Sequence, residues 1–322
     1  MLTKLVLEST MKPLRVYFPW YQIESHREPW QSARIVTELA DLGVQCLLEM
    51  GPSVDVVFCG GLYPVEDAAN GYWKDPNHRR VVGYREFPSV PVVLYNWDLY
   101  PWLLEDRSHP EYERWRAYLI ELERCAEVWV PSEPVARRTH QYLNRPSRVI
   151  RGPVCSWEPD AAPMNGGYVV DVMRKYKGDP NNGLVESVCH ELGIPCVETG
   201  ASLGWDHYRH TIANAGLLVS AYREASTGSL ALLEGYRLGK PVLLSNSEWH
   251  GGRDHFGDRA RYFQWDDPKS LRYNIADWYA NRDALEYWED PAECREWVEE
   301  NYSEKAFARR MSEALRKVVA KC

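Results

Sequence analysis

The sequence predicts an α/β protein with two Rossmann-like, doubly wound domains that face each other across a central cleft. Short apolar runs rich in β-branched residues alternate with amphipathic helical patterns, which is typical of strand–helix–strand units and parallel sheets. The alternation is interrupted at residues 153–167, where three Pro and two Gly occur without periodicity, and then begins again. The chain has 322 residues, which is room for two domains of ordinary size.

Before the interruption, apolar runs predict strands at residues 14–18, 44–48, 54–59, 90–95, 127–131 and 148–151. Apolar residues at helical spacing predict helices at residues 30–42, 111–125 and 133–143. Gly43 follows the first helix and favours its end there. Ser132 lies at the N-cap position of the third helix, and we expect its side chain to cap it.

After the interruption, the same patterns predict strands at residues 168–173, 195–198, 217–221 and 241–245. Helices are predicted at residues 183–192, 205–215, 230–238, 269–281 and 303–320. Helical patterns dominate after residue 245. Strands joined by helices in both halves indicate a parallel sheet in each.

Composition excludes several classes of protein. Hydrophobic residues make up 45% and charged residues 26%, which is too apolar for a disordered chain. No stretch reaches the about 18 apolar residues that a transmembrane helix needs. The net charge of −8 argues against nonspecific nucleic-acid binding. The eight Cys are scattered without a CxxC pair, which is typical of reduced thiols and predicts a cytoplasmic protein.

One candidate binding segment follows the strand at 217–221, since ligands of doubly wound folds bind beyond the carboxyl ends of strands. The small residues that open the next helix leave backbone N–H groups free for a phosphate, and these residues are Ser226, Thr227, Gly228 and Ser229. Glu234 follows on that helix and can accept hydrogen bonds from a ribose diol. The alternative is simple N-capping by Ser226 or Thr227, with Glu234 merely solvated.

A second candidate segment follows the strand at 168–173. It contains Arg174, which offers a bidentate fork, and Lys177, which offers a point charge. The alternative is an ordinary surface turn. His250, Asp254 and His255 have the composition of a metal cluster, but a Gly-rich loop with His is more typical of a turn, and we expect no metal.

The segment at 226–242 is similar to the donor-site signature of the family 4 glycosyltransferases. Glu234 matches the second Glu of that signature, and Gly239, Pro241 and Val242 match its end. Ser226 stands where the family has its first Glu, and Glu224 would reach that position only with a slip of two residues. Arg174 and Lys177 resemble the Arg and the Lys-Gly that hold the donor diphosphate in this family.

The resemblance implies a GT-B fold, with residues 1–155 as an acceptor domain and 156–302 as a donor domain. Residues 303–322 would form a helix that packs back on the first domain. It also implies a nucleotide-sugar donor, most often UDP- or GDP-linked, with no cofactor and no metal. Arg174 and Lys177 would be catalytic, since they stabilise the leaving diphosphate, and transfer would retain the anomeric configuration.

Acceptor-side candidates follow the strand at 90–95, where family members often have a His-Asp pair. Asp98 would orient an acceptor hydroxyl, and Trp97 would stack on a sugar face. An N-cap Asp and a core Trp are the alternative, and His26 is a further candidate. The candidate acceptors are a glycan, a lipid or a small molecule, with a modified nucleic acid as a less favoured option. The last would need a basic face, for which the candidates are Arg114, Arg116, Arg137, Arg138, Arg145 and Arg148.

These observations predict a metal-independent, retaining glycosyltransferase. The alternatives are a nucleotide-sugar epimerase or a phosphorylase on the same fold, or a binding module that keeps nucleotide affinity without catalysis. Turnover of a nucleotide-sugar to free nucleotide separates the transferase from the module.

Overall fold

The computed structural model describes residues 12–18, 33–47, 51–60, 73–74, 80–81, 89–96, 107–108, 112–154, 157, 166–172, 181, 183–199, 204–223, 230–284 and 290–322. Its strands are β1 Leu14–Tyr17, β2 Val44–Leu47, β3 Val56–Gly60, β4 Trp73–Lys74, β5 Arg80–Val81, β6 Val92–Tyr95, β7 Glu127–Val130, β8 Arg148–Val149, β9 Val169–Asp171, β10 Cys196–Glu198, β11 Leu217–Ser220, β12 Val242–Ser245 and β13 Arg261–Phe263. Its helices are α1 Ala33–Asp41, α2 Tyr112–Arg124, α3 Glu133–Leu143, α4 Leu184–Leu192, α5 Trp205–Ala213, α6 Leu230–Arg237, α7 Gly252–Phe256, α8 Pro268–Asn281, α9 Pro291–Tyr302 and α10 Glu304–Val319.

The strands form two parallel sheets, one in each half of the chain. The first has six strands in the order β2-β1-β3-β6-β7-β8, and the second has five in the order β10-β9-β11-β12-β13. Neighbouring strands within each sheet run parallel. The first strand of each half lies between the next two, so the strand order reverses there. The predicted α/β class with two doubly wound sheets is therefore confirmed.

Helices cover both faces of the first sheet. Alternate residues of β6 show this, since Val93 and Tyr95 pack with α1 and α10, whereas Val92 and Leu94 pack with α2 and α3. A strand buried on both faces reads as a continuous apolar run, as VVLY does.

The second sheet is buried in the same way. On one face, Val170 and Leu218 pack with α5, α6, α7 and α9. On the other face, Val169 and Val219 pack with α4 and α8. Both sheets are thus sandwiched between helices, and the carboxyl ends of their strands are left as the places where loops can bind a ligand.

The last helix, α10, belongs to the core of the first sheet. Phe307, Met311 and Leu315 are buried there with α1 and β1. Arg316 of the same helix donates from Nη2 to the carbonyl oxygen of Leu42, at 2.8 Å, just beyond the end of α1. The helix therefore follows the second half of the chain in sequence but packs on the sheet of the first half. The domain limits at residues 155 and 302 stay a prediction.

Some elements were not anticipated. The sequence patterns described above did not predict four features of the structure. These are the strand β13, the start of α9, the short helix α7 and the antiparallel pair β4–β5. Helical patterns predicted no strand after residue 245, but Arg261–Phe263 forms one there and pairs with β12. A three-residue strand is too short to show a period of two. The start of α9 did carry a signal, since Asp290 caps it and Pro291 follows.

The expected cap of α3 is also wrong in part. Ser132 occupies the N-cap position, but its side chain makes no capping hydrogen bond. Instead, the N–H of Glu133 donates to Oδ2 of Asp254, at 3.2 Å, from the second half of the chain. A free N–H group at the start of α3 is therefore capped by a residue that lies far away in sequence.

None of the helices in the described ranges is long and apolar enough to cross a membrane. The cysteines within those ranges are free thiols.

Candidate functional site

Two of the segments singled out by sequence begin at neighbouring strand ends. Strand β9 ends at Asp171 and β11 at Ser220, and the two strands pair directly, with Val219 opposite Asp171. The segments at 173–180 and 224–229 follow these strands in sequence. Their candidate residues lie outside the described residues, and they are Arg174, Lys177, Ser226, Thr227, Gly228 and Ser229. The roles of these residues stay predictions.

Glu234 is the candidate site residue that can be described, and it lies on α6, which begins at Leu230 directly after the second of these segments. Its exposed fraction is only 6%, so the alternative of a solvated Glu234 is wrong. The next residue is Gly235, where a Cβ atom would lie 2.0 Å from Cδ1 of Leu218. A larger residue at this position would therefore require the Leu218 side chain to move, so Gly235 favours the close packing of α6 on β11.

The Glu234 carboxylate is held by Tyr208 of α5. The Tyr208 hydroxyl donates to Oε2 of Glu234 at 2.5 Å, across 26 residues of sequence. The indole N–H of Trp157 is close enough to influence the carboxylate but makes no geometrically sound hydrogen bond. Sequence analysis missed both residues. Neither the helical pattern at 205–215 nor the segment at 153–167 contains a motif that indicates a role for them.

Two arginines hold Trp157 in place beside Glu234. Arg237, on the last turn of α6, donates from Nη1 to the carbonyl oxygen of Trp157 at 2.8 Å. Its Nε donates to Oε1 of Glu299 on α9 at 2.6 Å. Arg209 of α5 places its guanidinium carbon 5.2 Å from the centre of the Trp157 ring. The side chains around Glu234 thus come from α5, α6 and the segment at 153–167, and Glu299 of α9 holds one of them in place.

Burial decides the protonation of Glu234. Loss of solvation raises its pKa to about 7, against the opposing effects of the Tyr208 hydroxyl, the Trp157 indole and the Arg237 charge. Near neutral pH the carboxyl therefore exists in both protonation states. The ionised form is the one that accepts two hydrogen bonds from a diol.

The loop after β12 is tied to the end of β11 by His250. This side chain is 1% exposed, and burial lowers its pKa to about 3, so its ring is neutral at physiological pH. Its Nδ1 accepts from the N–H of Gly252 at 2.9 Å, which leaves Nε2 to carry the proton. Nε2 therefore donates to Oγ of Ser220 at 3.0 Å.

His255 contacts Tyr302 rather than the end of β11. Its Nδ1 lies 3.0 Å from the hydroxyl of Tyr302, which donates to the His255 carbonyl oxygen at 3.1 Å, and burial lowers the pKa of the ring to about 4. The two histidines thus have different partners. Within the described ranges, no three His, Cys, Asp or Glu side chains come together as a metal-binding group.

The loop after β12 and the start of α7 contact α3, which belongs to the first half of the chain. Asp254 accepts from Nη2 of Arg151 at 3.3 Å as well as from the N–H of Glu133. Nη2 of Arg137 donates to the carbonyl oxygen of Glu248 at 2.6 Å. The guanidinium carbon of Arg138 lies 4.7 Å from the centre of the Trp249 ring. The two sheets are therefore connected beside the carboxyl end of β12.

Several arginines proposed for a basic face have partners within the protein. Arg137 and Arg138 contact the loop just described. Nη1 of Arg145 donates to three carbonyl oxygens at the end of α2, among them that of Cys125 at 2.9 Å. Arg148 pairs with Glu127 at 2.6 Å. These four side chains stabilise the fold. Arg116 is exposed on α2.

On the predicted acceptor side, the structure describes the end of β6. Asn96 follows this strand and is fully buried. Its N–H donates to the carbonyl oxygen of Trp129 at 2.7 Å, and its Nδ2 donates to Oγ1 of Thr139 on α3 at 3.4 Å. Asp98, Trp97 and His26 lie outside the described residues, so their acceptor roles stay predictions.

No known protein family matches the sequence, and no curated protein matches it. Solved structures do match in fold. A sucrose-phosphate synthase from Thermosynechococcus elongatus has a TM-score of 0.61 at 12% identity, over 97% of this chain and 100% of its own. A glycosyltransferase from Rickettsia africae has a TM-score of 0.59 at 11% identity, over the same shares. HepE from Anabaena, solved with UDP and glucose, has a TM-score of 0.56 at 11% identity, over 94% and 100%. The chain therefore has the GT-B fold.

Proposed function

We propose that this protein is a glycosyltransferase that moves a sugar from a nucleotide-sugar to an acceptor hydroxyl. The observation that carries the proposal is the fold likeness to glycosyltransferases over nearly the whole of both chains. The family 4-like signature in the second half supports placing the donor there and the acceptor on the first half. HepE was solved with UDP and glucose, which supports a UDP-linked donor, with a GDP-linked donor as the other candidate.

In this proposal the diphosphate is held by Arg174, Lys177 and the backbone N–H groups of Thr227, Gly228 and Ser229. The segments that contain these residues follow two paired strands, β9 and β11, at their carboxyl ends. Two cations and a helix start can stabilise the charge that develops on the leaving diphosphate, and no metal or cofactor is needed for this.

We further propose that transfer retains the anomeric configuration, with the leaving phosphate taking the proton of the acceptor hydroxyl. In this proposal Asp98 orients that hydroxyl and Trp97 stacks on the acceptor, and His26 is a further candidate for binding it. Retention follows from the family 4-like signature, and the candidate acceptor residues include no pair of carboxylates suited to general-base catalysis.

Glu234 is proposed to accept hydrogen bonds from the ribose hydroxyls, and Glu234→Gln tests this. The amide oxygen of Gln still accepts from Tyr208, but one charged acceptor is lost. We expect nucleotide affinity to fall about tenfold, or about 1.4 kcal/mol. A thermal-shift screen of nucleotides selects the ligand, and calorimetry measures its affinity for both proteins.

Glu186→Gln is the matched control, since it makes the same chemical change at an exposed position on α4. It should bind nucleotide as the wild type does. If Glu234→Gln also binds with unchanged affinity, Glu234 does no more than join α5 to α6, and the ribose assignment is wrong.

A second function, nucleotide binding without turnover, is favoured by one residue. Ser226 stands where the resembled family has the first Glu of its signature. A protein of this kind would pass the binding test above and release no nucleotide from any nucleotide-sugar.

A further inference from the structure

We propose that Tyr208 is a positioning residue, which holds the Glu234 carboxylate in the orientation that receives the ribose of the donor nucleotide. This inference rests on the proposed ribose role of Glu234. A carboxylate offers about four lone-pair sites. Tyr208 uses one of them, at 2.5 Å from Oε2, and leaves enough for both ribose hydroxyls.

The position of Tyr208 is itself fixed by other contacts of α5. The Tyr168 hydroxyl donates to the carbonyl oxygen of Thr211 on this helix at 3.0 Å. Arg209, the residue after Tyr208, lies over the Trp157 ring. Because α5 is anchored at two further points, losing the Tyr208 hydroxyl alone should release the carboxylate without moving the helix.

Three neighbouring groups affect the charge state of Glu234. Tyr208 acts from α5, the Trp157 indole from the segment between the sheets, and Arg237 from α6 itself. Arg237 is paired in turn with Glu299 of α9 at 2.6 Å. The Tyr208 hydrogen bond favours the ionised form, so its removal raises the pKa of Glu234 further.

The consequence is a shift in the pH dependence of nucleotide binding. A protonated Glu234 has fewer acceptor sites for the ribose, so affinity should rise with pH through the pKa of about 7 in the wild type. In Tyr208→Phe this rise should occur at higher pH. We expect affinity to be about fivefold lower than wild type near neutral pH, the size of one hydrogen bond, and to approach the wild-type value in alkaline buffer.

The test is calorimetric binding of UDP, or of GDP if only GDP stabilises the wild type, over a pH series from mildly acidic to alkaline. Tyr273→Phe is the matched control, because it also removes a tyrosine hydroxyl, at an exposed position on α8. The control should keep the wild-type midpoint. Equal losses of affinity at all pH values in both variants would contradict the proposal.

A second variant keeps the test sharp if Tyr208→Phe does not fold. Placing 3-fluorotyrosine at position 208 makes the hydroxyl a stronger donor, so the midpoint should move to lower pH, which loss of structure would not produce. An unmoved midpoint overturns the positioning role. If Glu234→Gln weakens binding while both Tyr208 variants keep the wild-type midpoint, only this inference fails, whereas unchanged binding by Glu234→Gln removes the ribose assignment itself.

Discussion

Lys177→Ala should lower kcat/KM for the nucleotide-sugar by roughly thirtyfold to a thousandfold, because removing one charged donor from a developing oxyanion costs about 2–4 kcal/mol. Lys177 is proposed to hold the diphosphate together with Arg174, and the charge on that group increases as the glycosidic bond breaks. The effect should therefore appear mainly in kcat, with a smaller change in KM. Steady-state release of nucleotide, measured for the folded variant, gives both constants.

Two variants control this result. Lys269→Ala removes a lysine that is exposed on the first turn of α8 and should leave kcat/KM unchanged. Asp98→Asn should cost less than Lys177→Ala, since orienting the acceptor leaves substantial residual rate. Wild-type turnover by Lys177→Ala would remove this residue from the diphosphate site. Complete loss of activity in a stable Asp98→Asn would make Asp98 a general base and the enzyme an inverting one.

Phe307→Ala should destabilise the first half of the protein by about 3–5 kcal/mol, which is the usual cost of emptying the site of a buried Phe. Phe307 is 1% exposed and lies on α10, and its ring centre is 6.4 Å from that of Tyr95 on β6. The residue comes from the end of the chain but packs in the core of the first sheet. Removing its ring should therefore lower the stability of that sheet.

Hydrogen exchange locates the effect. Protection should fall in β6 and remain in β11, because opening of the first core exposes β6 amides more often. Glu313→Ala, at an exposed position on the same helix, should change neither. Loss of protection in β11 with β6 unaffected would show that α10 stabilises the second sheet instead.

Much of the fold could be predicted, because its strands and helices carry strong local signals. Helix α3 begins and ends where predicted, since Pro134 fits its first turn and Asn144 ends it in the left-handed conformation. The four residues of β6 are all buried and apolar, which makes that strand easy to recognise. Strand β13 could not be found in this way, because its three residues are ordered by pairing with β12 rather than by a pattern of their own.

The candidate site was predictable only where a motif concentrates it in a short stretch. Glu234 was singled out by its spacing from the residues that open α6, and the structure adds that it is buried. Tyr208 was missed because it reaches Glu234 across 26 residues. Asp254 was missed as the cap of α3 because 121 residues separate it from Glu133. Contacts of this kind depend on how helices pack on the sheets, and local periodicity carries no information about them.

The most direct test of the proposed function is time-resolved NMR of wild-type protein with the nucleotide-sugar that stabilises it most in the thermal-shift screen. Our account predicts that free nucleoside diphosphate is released, with or without EDTA. It also predicts that the transferred or hydrolysed sugar first appears with the anomeric configuration of the donor, read from its coupling constant before mutarotation. A first product of opposite configuration would contradict retention. A nucleotide-sugar that binds but is never cleaved, even with candidate acceptors present, would contradict glycosyl transfer itself.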